Sequence, residues 1–425
     1  MYGLPKLDEH QPERIRHATH VANPGCYANR THINFYFINV RGTLRFRRRR
    51  RIMKTFHTKA GAISMTQARI VIATGDTRLS ATIATALVRA LANEIQDREI
   101  VCVEPDDLKA LGADPATSVL IFNTLSADLD TIANLRATRK SLYAVGIKTS
   151  MGLDPSRQYT EALEFLKKTS INLVLATDLL TDNNLVVAPE ETHYGQSPNL
   201  VETLDFLAKM VTSRMTNRFT RSTVIPAETI AWSSPVVPEN LRAVVNHCIE
   251  RGAYKPVLGK TAGHFAVKLS DNEILTSIRK SNFNDLANVG LVRVESVGDN
   301  EVIAHGARPS VGGQSQRQIF AAHKETNIAH FHCPVKADAP LFSQIPVRDQ
   351  WPNECGSHQC GANTSQGLHQ VDLGDGDSLK IVFLDNHGPN IVFSDDTPAD
   401  KIIGFIDANF DLSAKTGGLL VQGVH

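Results

Sequence analysis

The decapeptide NIAHFHCPVK, residues 327–336, sets His330 and His332 one residue apart within a run that otherwise reads as a buried strand. Successive strand side chains face opposite ways, so the two imidazoles share a face while Phe331 turns into the core. Together they form a bidentate platform for Zn2+ or another divalent metal. Catalytic zinc takes about three protein ligands plus a water, with imidazole nitrogens at about 2.0–2.1 Å, so a third ligand must come from elsewhere. The best placed is His387 in FLDNHGPN, at a strand end where Gly388 allows a tight turn. An ion held this way would polarise a carbonyl and stabilise an enediolate.

A second group of reactive side chains, Glu354, Cys355, His358 and Cys360, lies in NECGSHQCGANTSQG, residues 353–367. Its Cys-x4-Cys with an internal histidine lacks the paired spacing of a structural zinc site. It reads as a loop over the active site, with Glu354 or His358 as acid/base. The competing reading is a structural turn with buried thiols.

The elements that must position these groups fall into two grammars. From about residue 68, ARIVIAT, a helically spaced LSATIATALVRALANEI and EIVCVEP make a βαβ unit. TSVLIFNTL, SLYAVGI, a helix over 159–168, INLVLAT, NNLVVAP and a helix over 200–214 extend it, predicting a mostly parallel, Rossmann-like sheet over 66–213 with both faces covered. Residues 214–238, with prolines at 226, 235 and 238, read as a linker. Beyond it, over 239–425, short strands mix with helices at ENLRAVVNHCIERGA and GQSQRQIFAAHKE, predicting a layered αβα domain. TGDTRLS offers a weak phosphate-loop signal at a helix start, and LGKT at 258–261 fails as a Walker loop because Tyr254 stands where the first glycine belongs.

Residues 1–65 lack sustained periodicity and contain five consecutive arginines, Arg47 to Arg51; they read as a disordered extension, with Met53 or Met65 as alternative starts. Across all 425 residues, Lys+Arg 45 nearly cancels Asp+Glu 44, which indicates neither a nucleic-acid nor a membrane partner. Six cysteines are too sparse for a disulfide scaffold, and no secretory segment precedes them, so the expectation is a soluble cytoplasmic protein with reduced thiols.

Three stretches resemble known families. GKTAGHFAVKL, EILTSIRKS, ARPSVGGQSQRQIF, AHFHCP and FLDNHGP, spread over roughly 240–418, resemble the class II aldolase/adducin group of zinc-dependent enzymes. The resemblance implies His330, His332 and His387 as metal ligands. It also implies an anion site for a substrate phosphate, lined by Gly263, His264, Thr276, Ser277, Arg279, Lys280 and Ser310, and a homo-oligomer, in that family a tetramer. Where the family has its acid/base glutamate, this chain has Gly312 or Gly313, and no carboxylate lies between Ser310 and Glu325. Residues 143–189 resemble the second half of the phosphopantothenate–cysteine ligase domain, with Ala176-Thr177-Asp178 in place of Ala-Asn-Asp. Residues 2–29 resemble the segment around the nucleophilic cysteine of N-acetyl-gamma-glutamyl-phosphate reductase, which would make Cys26 that nucleophile. The match stops at Asn29, without the base, oxyanion site or hydride donor a thiolate needs.

The function expected is a zinc-dependent lyase or epimerase acting on a phosphorylated or acidic sugar-like molecule. The alternatives are an adducin-like binding or regulatory module, and a nucleotide-using ligase activity in the 66–213 half.

Overall fold

The first half's strands are runs of Val, Ile, Leu and Ala without polar alternation, as in strands covered on both faces. The computed structural model describes residues 34–38, 44–48, 68–73, 78–103, 108–124, 128–339 and 346–416. The chain divides into two compact units, Met1–Ile63 and Ser64–His425. In the first, β1 (Asn34–Ile38) pairs antiparallel with β2 (Leu44–Arg48). The rest of the expected disordered extension, with Cys26, Met53 and Met65, lies outside the described residues, as do residues 74–77 of TGDTRLS.

The second unit holds both large sheets. The seven-stranded one comprises β3 (Arg69–Ala73), β4 (Glu99–Val103), β5 (Thr117–Asn123), β6 (Tyr143–Ser150), β7 (Leu173–Asp178), β8 (Asn184–Ala188) and β9 (Thr192–Ser197), in the order β4-β3-β5-β6-β7-β8-β9. Strands β4, β3, β5, β6 and β7 run parallel, and β8 and β9 return antiparallel. Its helices are α1 (Arg78–Glu94), α2 (Leu108–Ala113), α3 (Leu129–Thr138), α4 (Pro155–Thr169) and α5 (Leu200–Arg214). Val71, Leu120, Phe122 and Val174 pack with Leu135 of α3 and Leu163 and Leu166 of α4. The alternate residues Ile70, Ile72, Ile121, Val145 and Leu175 are equally buried, as a sheet covered on both sides requires. Helix α4 starts a turn earlier than the pattern predicts, because Asp154 accepts from the Ser156 and Arg157 N–H groups and Pro155 sits in the first turn.

The ten-stranded sheet is mixed. It comprises β10 (Arg221–Ile225), β13 (His264–Lys268), β14 (Glu273–Ser277), β15 (Leu291–Gly298), β16 (Glu301–His305), β17 (Asn327–His330), β18 (Val347–Arg348), β19 (His369–Gly374), β20 (Asp377–Leu384) and β21 (Gly388–Phe393). The order is β10-β16-β15-β14-β13-β17-β21-β20-β18, with β19 also on β20; β11 (Pro256–Val257) and β12 (Lys260–Thr261) form a separate hairpin. The helices here are α6 (Glu239–Glu250), α7 (Leu286–Val289), α8 (Gly313–Ala322), α9 (His358–Gly367) and α10 (Ala399–Asn409). Phe265, Phe331, Ile391 and Phe393 meet Leu241 and Val245 of α6 and Ile402 and Ile406 of α10. From the other face Ala266, Ile328 and Val392 meet Ile319 and Phe320 of α8. Helices therefore flank this sheet on both sides, the αβα layering that its pattern predicts.

Residues 214–238 differ from the linker reading. Residues 221–225 form β10, which pairs parallel with β16, and its mostly exposed side chains gave no apolar signal. At the segment's start Arg214 is fully buried, ion-paired to Glu190 of the first half and donating to the Trp351 carbonyl (2.7 Å) of the second. The Ser213 hydroxyl donates to the Pro352 carbonyl (2.9 Å), and the His358 N–H to the Arg218 carbonyl (2.8 Å). The two halves are thus joined by buried polar contacts.

Candidate metal and anion site

The ladder brings the first histidines together. Register places His330 of β17 opposite His264 of β13 on one side and Asn390 of β21 on the other. His332 lies just past the strand end yet keeps the alternation: its ring centroid is 5.0 Å from that of His330, while Phe331 turns inward onto Phe410 (5.6 Å). His387 enters from the β20–β21 turn, its N–H donating to the Leu384 carbonyl (2.9 Å). That turn needs Gly388, whose φ is +143° and whose added Cβ would lie 2.2 Å from the Phe331 carbonyl oxygen. Ligand nitrogens of His330, His332 and His387 lie within 4.8 Å of one another, and no other described residues make such a cluster.

The donor set fits a divalent ion. A carbonyl only accepts, so the 2.7 Å bond between His330 Nδ1 and the Pro389 carbonyl puts the ring proton on Nδ1 and leaves Nε2 a lone pair. His330 Nε2 and His387 Nε2 are 3.3 Å apart, matching the roughly 3.3 Å edge of a tetrahedron with bonds of about 2.05 Å. Nδ1 of His332 and of His387 is buried without a partner, whereas the large majority of buried polar groups in proteins are hydrogen-bonded. Burial pushes His330 down to about 4, despite the Pro389 bond. It likewise holds His332 and His387 well below the usual histidine range, helped by the neighbouring rings and, for His332, by Lys415 and Lys167. All three are then neutral at pH 7, the protonation state that metal binding requires.

His264 adds a fourth ring, 4.6 Å from that of His330, and burial pushes its pKa well down too. Its Nδ1 accepts from Gln316 Nε2 (3.0 Å), which leaves the proton on Nε2. The ring occupies the space a side chain at position 312 would need: a Cβ on Gly312 would lie 2.1 Å from His264 Cδ2. His264 and Gly312 are therefore sterically coupled.

The residues expected to line an anion site gather at the same sheet end. Gly263 precedes β13, and the Ser310 N–H donates to the Ser277 carbonyl (2.9 Å). Thr276 and Ser277 are fully buried; the Thr276 hydroxyl reaches the Phe265 carbonyl (3.4 Å), while the Ser277 hydroxyl has no partner. Arg279 and Lys280 follow β14 on the surface.

Glu354 and His358 are hydrogen-bonded to groups outside the histidine triad. Glu354 accepts from Asn172 of the first half (2.9 and 3.1 Å), and burial raises its pKa against the pull of Arg214 and Asn172. His358 caps no triad residue; it engages Thr220 (3.2 Å) and Gln314 (3.4 Å) and lines a cleft with Arg218 and Arg317. Cys360 is buried and Cys355 half-buried, both free thiols, as in the structural-turn reading. In the first half, the Asp178 carboxylate is taken up by the Ser150 hydroxyl and the N–H groups of Gly152, Leu153, Leu180 and Thr181. Glu190, Arg214, Gln316 and Lys415 were not legible in the sequence, because no local pattern announces a partner 24, 52, 137 or 224 residues away.

No family model matches the chain. Among solved structures, the fold is similar to that of YgbL from Escherichia coli, which carries a provisional assignment as an aldolase/epimerase/decarboxylase (16% identity, 40% of this chain, 84% of that chain, TM-score 0.29). It is also similar to L-fuculose 1-phosphate aldolase (12% identity, 40% and 81% covered, TM-score 0.29). A further similar structure is the DNA/pantothenate metabolism flavoprotein from Streptococcus pneumoniae (11% identity, 34% and 95% covered, TM-score 0.25). Among curated proteins, N-acetyl-gamma-glutamyl-phosphate reductase 2 of Pseudomonas putida is 67% identical over 27 residues, 6% of this chain; the chain spans 9% of that relative's length.

Proposed function

We propose that the chain is a metal-dependent lyase of the aldolase type, or the related epimerase, acting on a phosphorylated or carboxylated sugar-like small molecule. The observation that carries this reading is the convergence of three buried, neutral imidazoles, one with its tautomer fixed by a backbone carbonyl. His330, His332 and His387 would hold zinc or another divalent ion. When bound, such an ion supplies Lewis acidity toward a substrate carbonyl. The Pro389 carbonyl keeps the His330 proton at Nδ1, and Gln316 keeps that of His264 at Nε2. Burial of all four rings excludes water and preserves their neutral form. Glu354, raised toward its protonated form by burial, is the proton carrier of this proposal, and Gly263, Ser277, Arg279, Lys280 and Ser310 receive the substrate's anionic group. A homo-oligomer belongs to the same reading.

A non-catalytic binding module is the second reading, favoured by the glycine, Gly312 or Gly313, where the resembled family has its acid/base carboxylate. Metal analysis of the purified full chain, paired with a phosphosugar aldol-cleavage screen, separates them. Under the lyase reading, about one divalent ion per chain is found, His330→Ala and His387→Ala lose it, and turnover requires it. A folded protein that binds no metal ends the lyase reading; one that binds metal without turning over any aldol substrate favours the module.

A further inference from the structure

Helix α8 serves two places. Gln316 reaches His264 beside the triad, whereas Gln314, Arg317 and Gln318, spaced to share one helix face, line a cleft of about 400 Å³ together with Arg218 and His358. The cleft lies at the end of the ten-stranded sheet opposite the histidines. Its rim is the β13–β14 turn, at Ser270 to Asn272, and the β15–β16 turn, at Asp299 and Asn300. Strand β13 carries His264 at its triad end and Lys268 at the cleft end, about 13 Å further on. Buried Ile274 and Phe320 add apolar lining.

A closed circuit of hydrogen bonds holds the cationic wall. Gln314 Oε1 accepts from the Thr220 hydroxyl (2.5 Å) and from Arg317 Nη1 (3.2 Å). Gln314 Nε2 donates to His358 Nδ1 (3.4 Å), which leaves the ring proton on Nε2 to donate to the Thr220 oxygen (3.2 Å). Arg317 is fixed a second time by its Nη2, which donates to the Gly298 carbonyl (2.9 Å). Neither of these acceptors is a carboxylate. Among the described residues Arg317 makes no ion pair and its Nε–H meets no acceptor; Asp299, which follows Gly298, makes no ion pair either. Asp271, the other carboxylate of the cleft, is taken up by Lys268 (2.9 Å). Burial pulls the Arg317 pKa down, and Asp299 opposes that pull. Opposite charges that line one cleft without meeting are complementary to a ligand that bears both signs.

We infer that this cleft binds a small zwitterion with a carboxylate and an ammonium on one carbon, the pattern of an α-amino acid. Arg317 takes the carboxylate, since the flat fork of a guanidinium matches two carboxylate oxygens. Asp299 takes the ammonium, and Ile274 and Phe320 receive the aliphatic carbons. A phosphate dianion suits the cleft less well, because its second charge would face Asp299 while the only other cation in the lining, Arg218, is exposed. The volume falls within the roughly 300–1,000 Å³ of small-molecule sites. Neither the triad nor a metal takes part, so the cleft goes beyond the proposed lyase chemistry and stands or falls separately from it.

Thermal-shift screening of the full chain against the common α-amino acids, followed by calorimetric titration of the best of them, tests the site. One molecule should bind per chain, and its decarboxylated amine and its deaminated acid should each bind about tenfold or more weaker. Arg317→Gln should weaken binding about tenfold or more, with part of the loss recovered in Arg317→Lys. Asp299→Asn, at an exposed turn position, should weaken it about tenfold, and covers the case in which the Arg317 variants do not fold. Lys209→Glu, at an exposed position on α5, should leave it unchanged. An amino acid can also chelate an ion held by the triad, so the titration is repeated after chelator treatment. Unchanged affinity keeps the ligand in the cleft, and affinity lost with the ion would move it to the triad and overturn the cleft site. Binding by no amino acid, or binding unaltered in folded Arg317→Gln and Asp299→Asn, would overturn it as well. Equal affinity for the deaminated acid would remove Asp299 from the site and overturn the zwitterion. Cleft binding in a protein shown to hold no metal would leave the site standing while the lyase reading fails.

Discussion

Strand ends in the two large sheets handle their polar groups in opposite ways. At the end of β7 the Asp178 carboxylate collects N–H and O–H donors from two neighbouring turns, which hold it well below the usual carboxylate range despite the burial that opposes ionisation. At the ends of β17 and β20, His332 and His387 keep buried ring nitrogens without a partner. A saturated carboxylate stabilises the chain that surrounds it. Imidazoles left unsaturated hold a binding capacity that the fold itself does not use.

Three substitutions sharpen that contrast. The largest effect is expected at Glu191, buried in the β8–β9 turn and ion-paired to Lys167 (2.7 Å) and Lys415. Burial opposes its ionisation, but Lys415 and Lys167 prevail and hold it at about 2, below its ordinary 4.5. A carboxyl with a depressed folded pKa contributes stability that is fully present above its unfolded value. That contribution is lost as pH falls from about 4.5 to about 2. Glu191→Gln should therefore cost about 3–5 kcal/mol at pH 7 in denaturant unfolding, with the gap to the parent closing across that window. A gap independent of pH would refute the ion-pair account.

Gly388→Ala comes next. Its methyl would meet the Phe331 carbonyl at 2.2 Å in a backbone conformation that L residues avoid, so a loss of about 3 kcal/mol is expected. Because the same turn carries His387, metal affinity should fall by roughly 10–100-fold as well. Undiminished metal binding would show that the turn does not set the ligand. Asp178→Asn is the smallest, about 2 kcal/mol from weakened charge-assisted bonds, with metal content unchanged; a loss of metal there would break the separation between the two strand ends.

Much of this contrast was legible beforehand on one side. The H-x-H pair, the Asn-His-Gly turn and the helix over 200–214 are local patterns, and each stands where its pattern predicts. Strand β10 escaped notice because its exposed polar residues carry no period. Glu354 and His358 were read as acid/base candidates on a loop over the active site; their partners, Asn172 of the other half and Gln314 on α8, are brought near only by tertiary packing.

The sequence by itself determined most of the strands and helices, and that three histidines share the chemistry of a metal ligand set, because periodicity and side-chain type are written residue by residue. Tertiary structure alone decided that His264 fills the space above Gly312, that the Pro389 carbonyl fixes the His330 tautomer, and that Glu354 of the second half accepts from Asn172 of the first. Those relations depend on strand order and on the docking of one sheet against another, and no local pattern records either.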